Sequence, residues 1–314
     1  MKKVFWLCLS ILVVVACNGG GGGSQPQPVQ LTEKVRPVQG GTQVDVAYWN
    51  DIDDFNNRGT CTYAVFVRDK DPNSATYDEV GLLTADHCAF RRDAATLEDN
   101  LTSTDQDVWQ SFEGDDQQTD RVVAWVTRRA PFKWWYEDGC QAYDDAGRSI
   151  EFCQVADALF AKLEPDEDLS DAGLANVPLS TDNADLQIDD PSDYQRYVGA
   201  YNAPFVNGVV YKIGRTTGET RGKVVVRLPQ LTVRSAKFSE LRINYNVYVV
   251  EPEDSVPMAQ GGDSGAPVLY QSSSMDPDEY AFVGIVVAAA NGNMFMDPWE
   301  DIRDELNLSI ANGY

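Results

Sequence analysis

The sequence predicts an all-β protein, and three observations support this. Most segments with a regular hydrophobic pattern are short and rich in β-branched residues, and glycine, proline and aspartate bound them. Such segments do not alternate with long helical patterns, which favours a barrel or a sandwich over a parallel α/β sheet. No unit repeats at a fixed period, so a solenoid is not expected. The predicted strands cover residues 61–67, 80–85, 122–127, 158–163, 209–213, 223–228, 241–250, 266–270 and 281–289.

Residues 164–193 divide these strands into two blocks. The segment is acidic and contains Pro165, Pro178 and Pro191. Proline and charge in such density disfavour both strands and helices. We therefore predict an inter-domain linker there.

A short helix is predicted near the C-terminus, within residues 297–314. Asp297 is placed as an N-cap acid, and proline follows it at the first helical position. Trp299, Ile302 and Leu306 then share one helical face, which should dock on the strands.

The N-terminus carries an export signal. Residues 1–16 begin with positive charge and continue as an apolar stretch too short to span a bilayer. The stretch ends in Val-Val-Ala-Cys, which resembles the lipobox of bacterial lipoproteins. The resemblance implies cleavage before Cys17, lipid on its sulfur, and a place in the cell envelope on the periplasmic or surface face of the outer membrane. An ordinary secretory signal with a chance cysteine is the alternative, and residues 17–34 are predicted to be a flexible tether.

The chain is strongly acidic, with a formal net charge of −24. This charge argues against a nucleic-acid partner, because phosphate binding needs the opposite sign. Membrane contact is expected through the lipid anchor only. No cofactor is predicted. A structural calcium ion at the acidic clusters 71–78 or 164–168 is left open, although neither cluster matches an EF-hand loop.

Six cysteines are present, of which Cys8 would leave with the signal and Cys17 would carry lipid. The remaining even set in an oxidising compartment predicts two disulfides, and spacing alone does not choose among the three connectivities. No CxxC motif occurs and there is a single histidine, so a structural metal is not expected. The four cysteines are Cys61, Cys88, Cys140 and Cys153.

Three residue types suited to nucleophilic catalysis occur in hydrophobic or glycine-rich surroundings. Ser264 lies among glycines, which allow the backbone to approach a substrate closely. A serine needs a base, and His87 is the one histidine of the chain. Asp157 precedes an apolar strand, which suits a buried carboxylate that orients the imidazole. If Asp157 does not have this role, Asp144 and Asp145 are the next candidates.

The motifs around these residues resemble those of chymotrypsin-like serine proteases of the bacterial type. They are LLTADHC at 82–88, DALFAKL at 157–163 and GGDSGAPV at 261–268, together with IGRTTG at 213–218. The resemblance implies an all-β fold of two six-stranded antiparallel β-barrels with the site in the cleft between them. The first barrel would cover residues 35–163 and the second residues 194–296.

The same resemblance implies a role for each site residue. His87 would be the general base, Asp157 its orienting carboxylate and Ser264 the nucleophile, with Gly262 and Ser264 supplying the oxyanion-hole N–H groups. Proteins or peptides would be the substrates. A disulfide between Cys61 and Cys88 matches one of the family, which leaves Cys140–Cys153 by subtraction.

Two departures from the trypsin pattern concern the residues beside the proposed base and nucleophile. Asp86 replaces the small residue before the histidine, where it would either perturb the base or face solvent. Asp263 is present, but the chain lacks the cleavable segment that frees an amine to pair with it in trypsin-like enzymes. We therefore expect a protease that is active without that activation step.

The resemblance also predicts the pocket for the P1 side chain, which lies directly before the scissile bond. Met258 stands six residues before Ser264, where trypsin has an acid, and Val287, Ala288 and Ala289 would form a wall. These apolar residues predict an apolar, non-basic P1 preference.

Two other functions remain open. One is a catalytically silent protease-fold module used for binding or adhesion on the cell envelope. The other is an esterase, although the Gly-x-Ser-x-Gly elbow of that class is absent around Ser264.

Overall fold

Strands make up most of the residues that the computed structural model describes, which are 29–31, 39–47, 59–89, 106–109, 122–164, 187–188, 196–200, 206–234, 241–271, 275 and 279–311. The strands up to the linker are β1 (Val29–Gln30), β2 (Gln43–Ala47), β3 (Gly59–Thr62), β4 (Phe66–Asp69), β5 (Val80–Thr84), β6 (Asp107–Trp109), β7 (Val122–Arg129), β8 (Phe132–Trp134), β9 (Phe152–Gln154), β10 (Leu159–Leu163) and β11 (Gln187–Ile188). The later strands are β12 (Arg196–Ala200), β13 (Val209–Gly214), β14 (Gly218–Arg227), β15 (Gln230–Arg234), β16 (Leu241–Tyr245), β17 (Tyr248–Pro252), β18 (Pro267–Tyr270), β19 (Glu279–Ala290), β20 (Asn293–Pro298) and β21 (Leu308–Ile310). The helix α1 spans Trp299–Leu306, and no helix in these ranges has the length and apolar character needed to span a bilayer.

The first barrel is antiparallel and follows the order β4-β5-β10-β7-β6-β2-β3. Its ends are joined because β3 and β4 are parts of one bent stretch, interrupted at residues 63–65. Within it, the Ala64 N–H donates to the Leu83 carbonyl at 2.7 Å, and the Tyr63 N–H donates to the Thr42 carbonyl at 3.2 Å. The stretch therefore bonds to both neighbours and closes a barrel of six strands.

The second barrel closes directly through strand pairing. Its order is β19-β18-β13-β14-β17-β20, and β20 pairs again with β19. The predicted strand 241–250 is divided into β16 and β17, because Asn246 lies between them at a φ of 61° and turns the chain. The prediction of an all-β fold with two six-stranded barrels and a short C-terminal helix is confirmed.

The helix α1 docks as predicted, but it begins differently. Trp299, Ile302 and Leu306 are buried, and the Trp299 ring lies 5.5 Å from that of Phe282. The prediction that Asp297 is the N-cap is wrong, because Pro298 occupies the cap position and no side chain caps the helix. The Asp297 carboxylate is instead committed to a backbone amide elsewhere, as described below.

A smaller sheet joins the two halves of the chain and was not foreseen. We call the strands β8, β9, β15 and β16 the bridging sheet. Its order is β15-β16-β9-β8, so two strands from each half share it. The central pair β16–β9 is parallel, with Arg242 opposite Phe152 and Ile243 opposite Cys153.

The predicted tether, residues 17–34, needs one correction at its end. Residues 29–31 belong to the folded part, because β1 pairs with β11 and Leu31 is buried in the core. After the helix, β21 pairs with β4 of the first barrel. The signal sequence 1–16, Cys17 and most of the tether and linker lie outside the described residues.

Candidate active site

His87 lies on a single turn of 3-10 helix, Asp86–Ala89, that directly follows β5. One disulfide and one ion pair fix this turn. Cys88 forms a disulfide with Cys61, with the Cα atoms 6.1 Å apart. Asp86 is buried, and its two carboxylate oxygens accept hydrogen bonds from the Arg129 guanidinium at 2.5 and 3.0 Å. Asp86 therefore does not face solvent, and its charge is compensated by an arginine of β7.

His87 and Asp157 form a close pair. The His87 Nδ1 atom lies 2.7 Å from Asp157 Oδ2, and the His87 backbone N–H donates to Asp157 Oδ1 at 2.9 Å. Two acceptors at 2.7 Å would repel, and an ionised carboxylate has no proton, so the proton belongs on Nδ1. This assignment leaves the lone pair on Nε2, which is the arrangement a general base needs.

Asp157 is fully buried and contacts an arginine and a second aspartate besides His87. Its carboxylate also accepts a hydrogen bond from Arg242 Nη2 at 2.5 Å, and its backbone N–H donates to Asp297 Oδ2 at 2.5 Å. Burial alone would raise the pKa of Asp157, but the charge of Arg242 and the hydrogen bonds from His87 outweigh it and hold the pKa well below its usual range. Asp157 is thus ionised at neutral pH.

Asp297 has the opposite character. Burial, together with the nearby charge of Asp157, raises the pKa of the Asp297 carboxyl well above its usual value. An ionised Asp297 would stand beside a second buried carboxylate with no cation of its own in the described contacts. The acid side chain predicted to cap a helix therefore supports the backbone of Asp157 instead.

Ser264 lies on a loop whose glycines are required by the backbone. Gly262 has a φ of +101° and Gly265 a φ of +83°. A Cβ at Gly262 would stand 2.4 Å from Thr216 Oγ1, and one at Gly265 would stand 2.2 Å from the Thr62 carbonyl oxygen. A side chain at either position would be strained and would clash.

The same loop presents two backbone amides. Within the described ranges, no backbone carbonyl accepts a hydrogen bond from the amide of Gly262 or of Ser264. Their carbonyls are held instead, because Thr62 Oγ1 donates to Gly262 O at 2.9 Å and the Thr62 N–H donates to Ser264 O at 2.8 Å. Both N–H groups are therefore available to a ligand oxygen.

His87 and Ser264 line one cavity of about 330 Å³. Gly262 and Arg242 also reach it, and so do Val287, Ala288 and Ala289, which belong to the end of β19. Of the residues predicted for catalysis, the oxyanion hole and the P1 pocket, the cavity brings together all except Asp157, which is buried behind His87, and Met258. A serine hydroxyl, an imidazole and two backbone amides around one space are the groups needed for acyl transfer.

Met258 was predicted to face the substrate, and the structure places it elsewhere. It is fully buried in the apolar core of the second barrel and is not part of the wall of this cavity. Its backbone is committed too, because its N–H donates to Gly292 O and its carbonyl accepts from Thr220 Oγ1. Counting back six residues from Ser264 does not account for these packing contacts.

Asp263, beside the proposed nucleophile, has an internal cation as partner. Lys212 is fully buried, and its Nζ lies 3.5 Å from Asp263 Oδ2. The carboxylate also accepts hydrogen bonds from the Thr216 N–H at 2.9 Å, the Thr217 hydroxyl at 2.7 Å and the Gln260 N–H at 3.0 Å. Burial lowers the pKa of Lys212 from its ordinary value, while Asp263 opposes that shift. Asp263 is satisfied by groups of the second barrel alone.

Sequence reasoning missed the basic residues that support this site. Arg129 and Arg242 stand in ordinary alternating strand patterns, which give no sign of a buried charge. Lys212 could have been suspected, because it interrupts the apolar strand Val209–Gly214. A lysine in such a strand requires a buried partner.

Possible cation ligands are already engaged. Cys61, His87 and Cys88 lie close together, but both sulfurs belong to one disulfide and no thiolate is left. In the acidic loop near residues 71–78, Asp69 and Asp71 converge on the Arg128 guanidinium at 2.6 and 3.2 Å. Beyond Glu164, the other acidic cluster lies outside the described residues.

Comparison with known proteins identifies neighbours at the level of solved structures only. No family model and no curated protein matches this chain. Protease A of Thermobifida fusca is 16% identical, with 88% of this chain and 100% of that chain covered and a TM-score of 0.46. The Nocardiopsis protease is 17% identical, with 87% and 99% covered and a TM-score of 0.45. The chymotrypsin of Cellulomonas bogoriensis is 14% identical, with 88% and 98% covered and a TM-score of 0.46.

Proposed function

We propose that the chain is a serine endopeptidase that hydrolyses peptide bonds through an acyl-enzyme. The observation that supports this most strongly is the arrangement around one cavity. The His87 Nδ1 atom lies 2.7 Å from Asp157 Oδ2, and His87 and Ser264 line the same cavity. These contacts support a base with a fixed tautomer that shares a cavity with an alcohol.

The reaction follows from these positions. His87 Nε2 takes the proton of the Ser264 hydroxyl as its oxygen forms a bond to the scissile carbonyl carbon. The carbonyl oxygen becomes an oxyanion, which the N–H groups of Gly262 and Ser264 stabilise. His87 then gives its proton to the leaving amine as the C–N bond breaks. Water repeats the sequence on the acyl-enzyme, releases the acid and restores Ser264.

The proposed enzyme needs no cleavage to become active. In trypsin-like enzymes, whose motifs this chain resembles, a freed amine pairs with the acid before the nucleophile. Here Lys212 supplies a cation to Asp263 from within the second barrel. This contact supports a loop that is ordered in the uncleaved chain.

An apolar, non-basic P1 side chain fits the proposed pocket. Val287 and Ala288 present small apolar side chains to the cavity, and Ala289 continues them. Apolar contact at this wall is worth roughly 25 cal/mol per Å² of buried surface. We expect a leucine peptide to be cleaved with higher kcat/KM than its arginine analogue, and the reverse order would contradict this preference.

We further propose that the protein is anchored in the cell envelope by lipid at Cys17. The sequence before Cys17 supports this. Mass spectrometry of the N-terminal peptide from the expressed full-length chain should detect the lipid mass on Cys17. A Cys17→Ala variant should be released into the soluble fraction.

A covalent inhibitor tests the central proposal. A fluorophosphonate should label wild-type protein at Ser264, and Ser264→Ala and His87→Ala should both prevent labelling. Ser255→Ala, an exposed serine of the same barrel, is the matched control and should label normally. Absence of labelling in the wild-type protein, with the fold intact by circular dichroism, would favour the silent binding module.

A further inference from the structure

Arg242 contacts the His87–Asp157 pair from the other half of the molecule. Its Nη2 atom donates to Asp157 Oδ2 at 2.5 Å and lies 3.3 Å from His87 Nδ1. Both Arg242 and Asp157 are buried, with 3% and 0% of their side chains exposed. Oδ2 of Asp157 is therefore shared between the imidazole and the guanidinium.

The reason for a cation here lies in the resting state of the site. While His87 is neutral, its Nδ1–H group gives Asp157 a hydrogen bond but no charge. A buried carboxylate without a cation is costly, and it lowers that cost by taking up a proton or by turning toward other donors. Arginine remains charged at every pH that a protein tolerates, so Arg242 supplies a permanent counter-charge.

The bridging sheet delivers this cation. Arg242 lies on β16, which pairs in parallel with β9, and β9 ends three residues before Asp157. Ile150, Cys153, Leu241 and Ile243 form a buried apolar cluster within this region. The position of the guanidinium is thus fixed by the contact between the two halves of the chain.

We propose that Arg242 is a positioning residue, whose guanidinium keeps the Asp157 carboxylate charged and directed at His87 Nδ1. The proposal rests on the proposed peptidase function. Arg242 acts through Asp157 and His87, and it takes no part in bond making or breaking. Catalysis then requires a fourth side chain, itself buried, that the other half of the chain contributes through the bridging sheet.

Two readouts on the full chain test this proposal. The first is the rate of Ser264 labelling by a fluorophosphonate, which should fall on the order of 10²-fold in Arg242→Ala, the cost of a small misplacement of a catalytic group. Free guanidinium ion should restore part of that rate. Arg221→Ala is the matched control, because Arg221 is an exposed arginine on β14 of the same half of the chain and does not line the cavity. Its labelling rate should stay at the wild-type value and should not respond to guanidinium.

The second readout uses the single histidine. In protein labelled with ¹⁵N-histidine, every imidazole resonance belongs to His87. The Nδ1–H proton should be visible in the wild type and in Arg221→Ala, and should be lost to solvent exchange in Arg242→Ala. A general loss of packing would not produce this loss in a variant with a normal melting temperature.

The outcomes separate the two proposals. If the wild-type protein is not labelled, the peptidase proposal fails. If the wild type is labelled and Arg242→Ala keeps both the wild-type rate and the Nδ1–H signal, only the role of Arg242 is overturned. Should Arg242→Ala not fold, Arg242→Lys replaces it, because this variant keeps a charge without the planar guanidinium. A wild-type rate and signal in Arg242→Lys would overturn the requirement for the guanidinium.

Discussion

The two loops that carry the proposed catalytic residues solve the same electrostatic problem in different ways. Each has a fully buried aspartate, Asp157 beside His87 and Asp263 beside Ser264. Asp263 finds Lys212 and its other partners within the second barrel, whereas Asp157 shares its oxygens between His87 and the distant Arg242. The buried aspartate of the serine loop is therefore satisfied within its own barrel, although Thr62 of the first barrel also holds two carbonyls of that loop. The charge balance at the histidine site, in contrast, is complete only when both halves are in contact.

The largest expected effect comes from breaking the histidine side. Asp157→Asn keeps the shape of the residue but removes its charge, so His87 loses the preferred tautomer. We expect Ser264 acylation to slow on the order of 10⁴-fold, as in the trypsin-type precedent. Inhibitor labelling rates measure this. Asp145→Asn, an exposed residue, is the control, and an equal loss in that variant would move the orienting role away from Asp157.

Breaking the serine side should cost stability as well as activity. Lys212→Met keeps the length of the side chain and leaves Asp263 buried without its cation, which costs about 3–5 kcal/mol. Urea unfolding measures this loss, and Lys223→Met, an exposed residue on β14, should show none. Adding Asp263→Asn to Lys212→Met should recover most of the stability. Wild-type stability in Lys212→Met would show that the ion pair does not hold this loop.

The second disulfide tests the histidine site separately from the serine loop, because it lies on the histidine side only. Cys140–Cys153 closes a loop with a sequence separation of 13 and ties down β9 of the bridging sheet. Replacing both cysteines by serine should cost about 3 kcal/mol of unfolding free energy. We also expect slower Ser264 labelling, since β9 positions both Asp157 and the strand of Arg242. If the variant loses stability but is labelled at the wild-type rate, this disulfide and β9 do not control the position of the catalytic residues.

The smallest effect concerns Asp297 and depends on pH. Its pKa is raised in the folded state above the ordinary value of 3.8, so the folded protein holds a proton that the unfolded chain releases. That contribution to stability is complete below the ordinary pKa and is lost as the pH rises through the folded pKa. Asp297→Asn does not titrate and keeps an acceptor for the Asp157 N–H. Its stability relative to wild type should rise by about 1.4 kcal/mol for each pH unit in that window.

Unfolding curves from pH 4 to pH 8 test the Asp297 prediction. Asp304→Asn, on the exposed face of α1, should give a difference that does not depend on pH in this way. A difference between Asp297→Asn and wild type that stays flat, or that falls as the pH rises, would mean that Asp297 is ionised in the folded protein.

What the sequence could predict was local in character. The surroundings of His87, Asp157 and Ser264 are short motifs, each readable within a few residues, and the structure places all three near one another. The barrels could be predicted from strand periodicity and from the resemblance. Boundaries were less accessible: a bend at residues 63–65 and a left-handed Asn246 divide stretches that look continuous in hydrophobic pattern.

What the sequence could not predict depends on contacts between distant segments. Arg242 stands 85 residues from Asp157, and its strand looks like any half-buried strand. Asp297 fits a helix cap by local rules, but its carboxylate accepts a hydrogen bond from the distant backbone amide of Asp157 instead. The prediction for Met258 is wrong for a related reason, because its distance along the chain from Ser264 does not show that its side chain packs in the core.

The return of β21 to the first barrel has a consequence for how the protein is made. The strand Leu308–Ile310 follows the whole second barrel and pairs with β4. Until it arrives, β4 is an open edge that invites pairing with other chains. Arg242 and Asp297 also reach Asp157 from late in the sequence. The proposed site therefore cannot be completed until the last part of the chain has been made and has folded onto the first barrel.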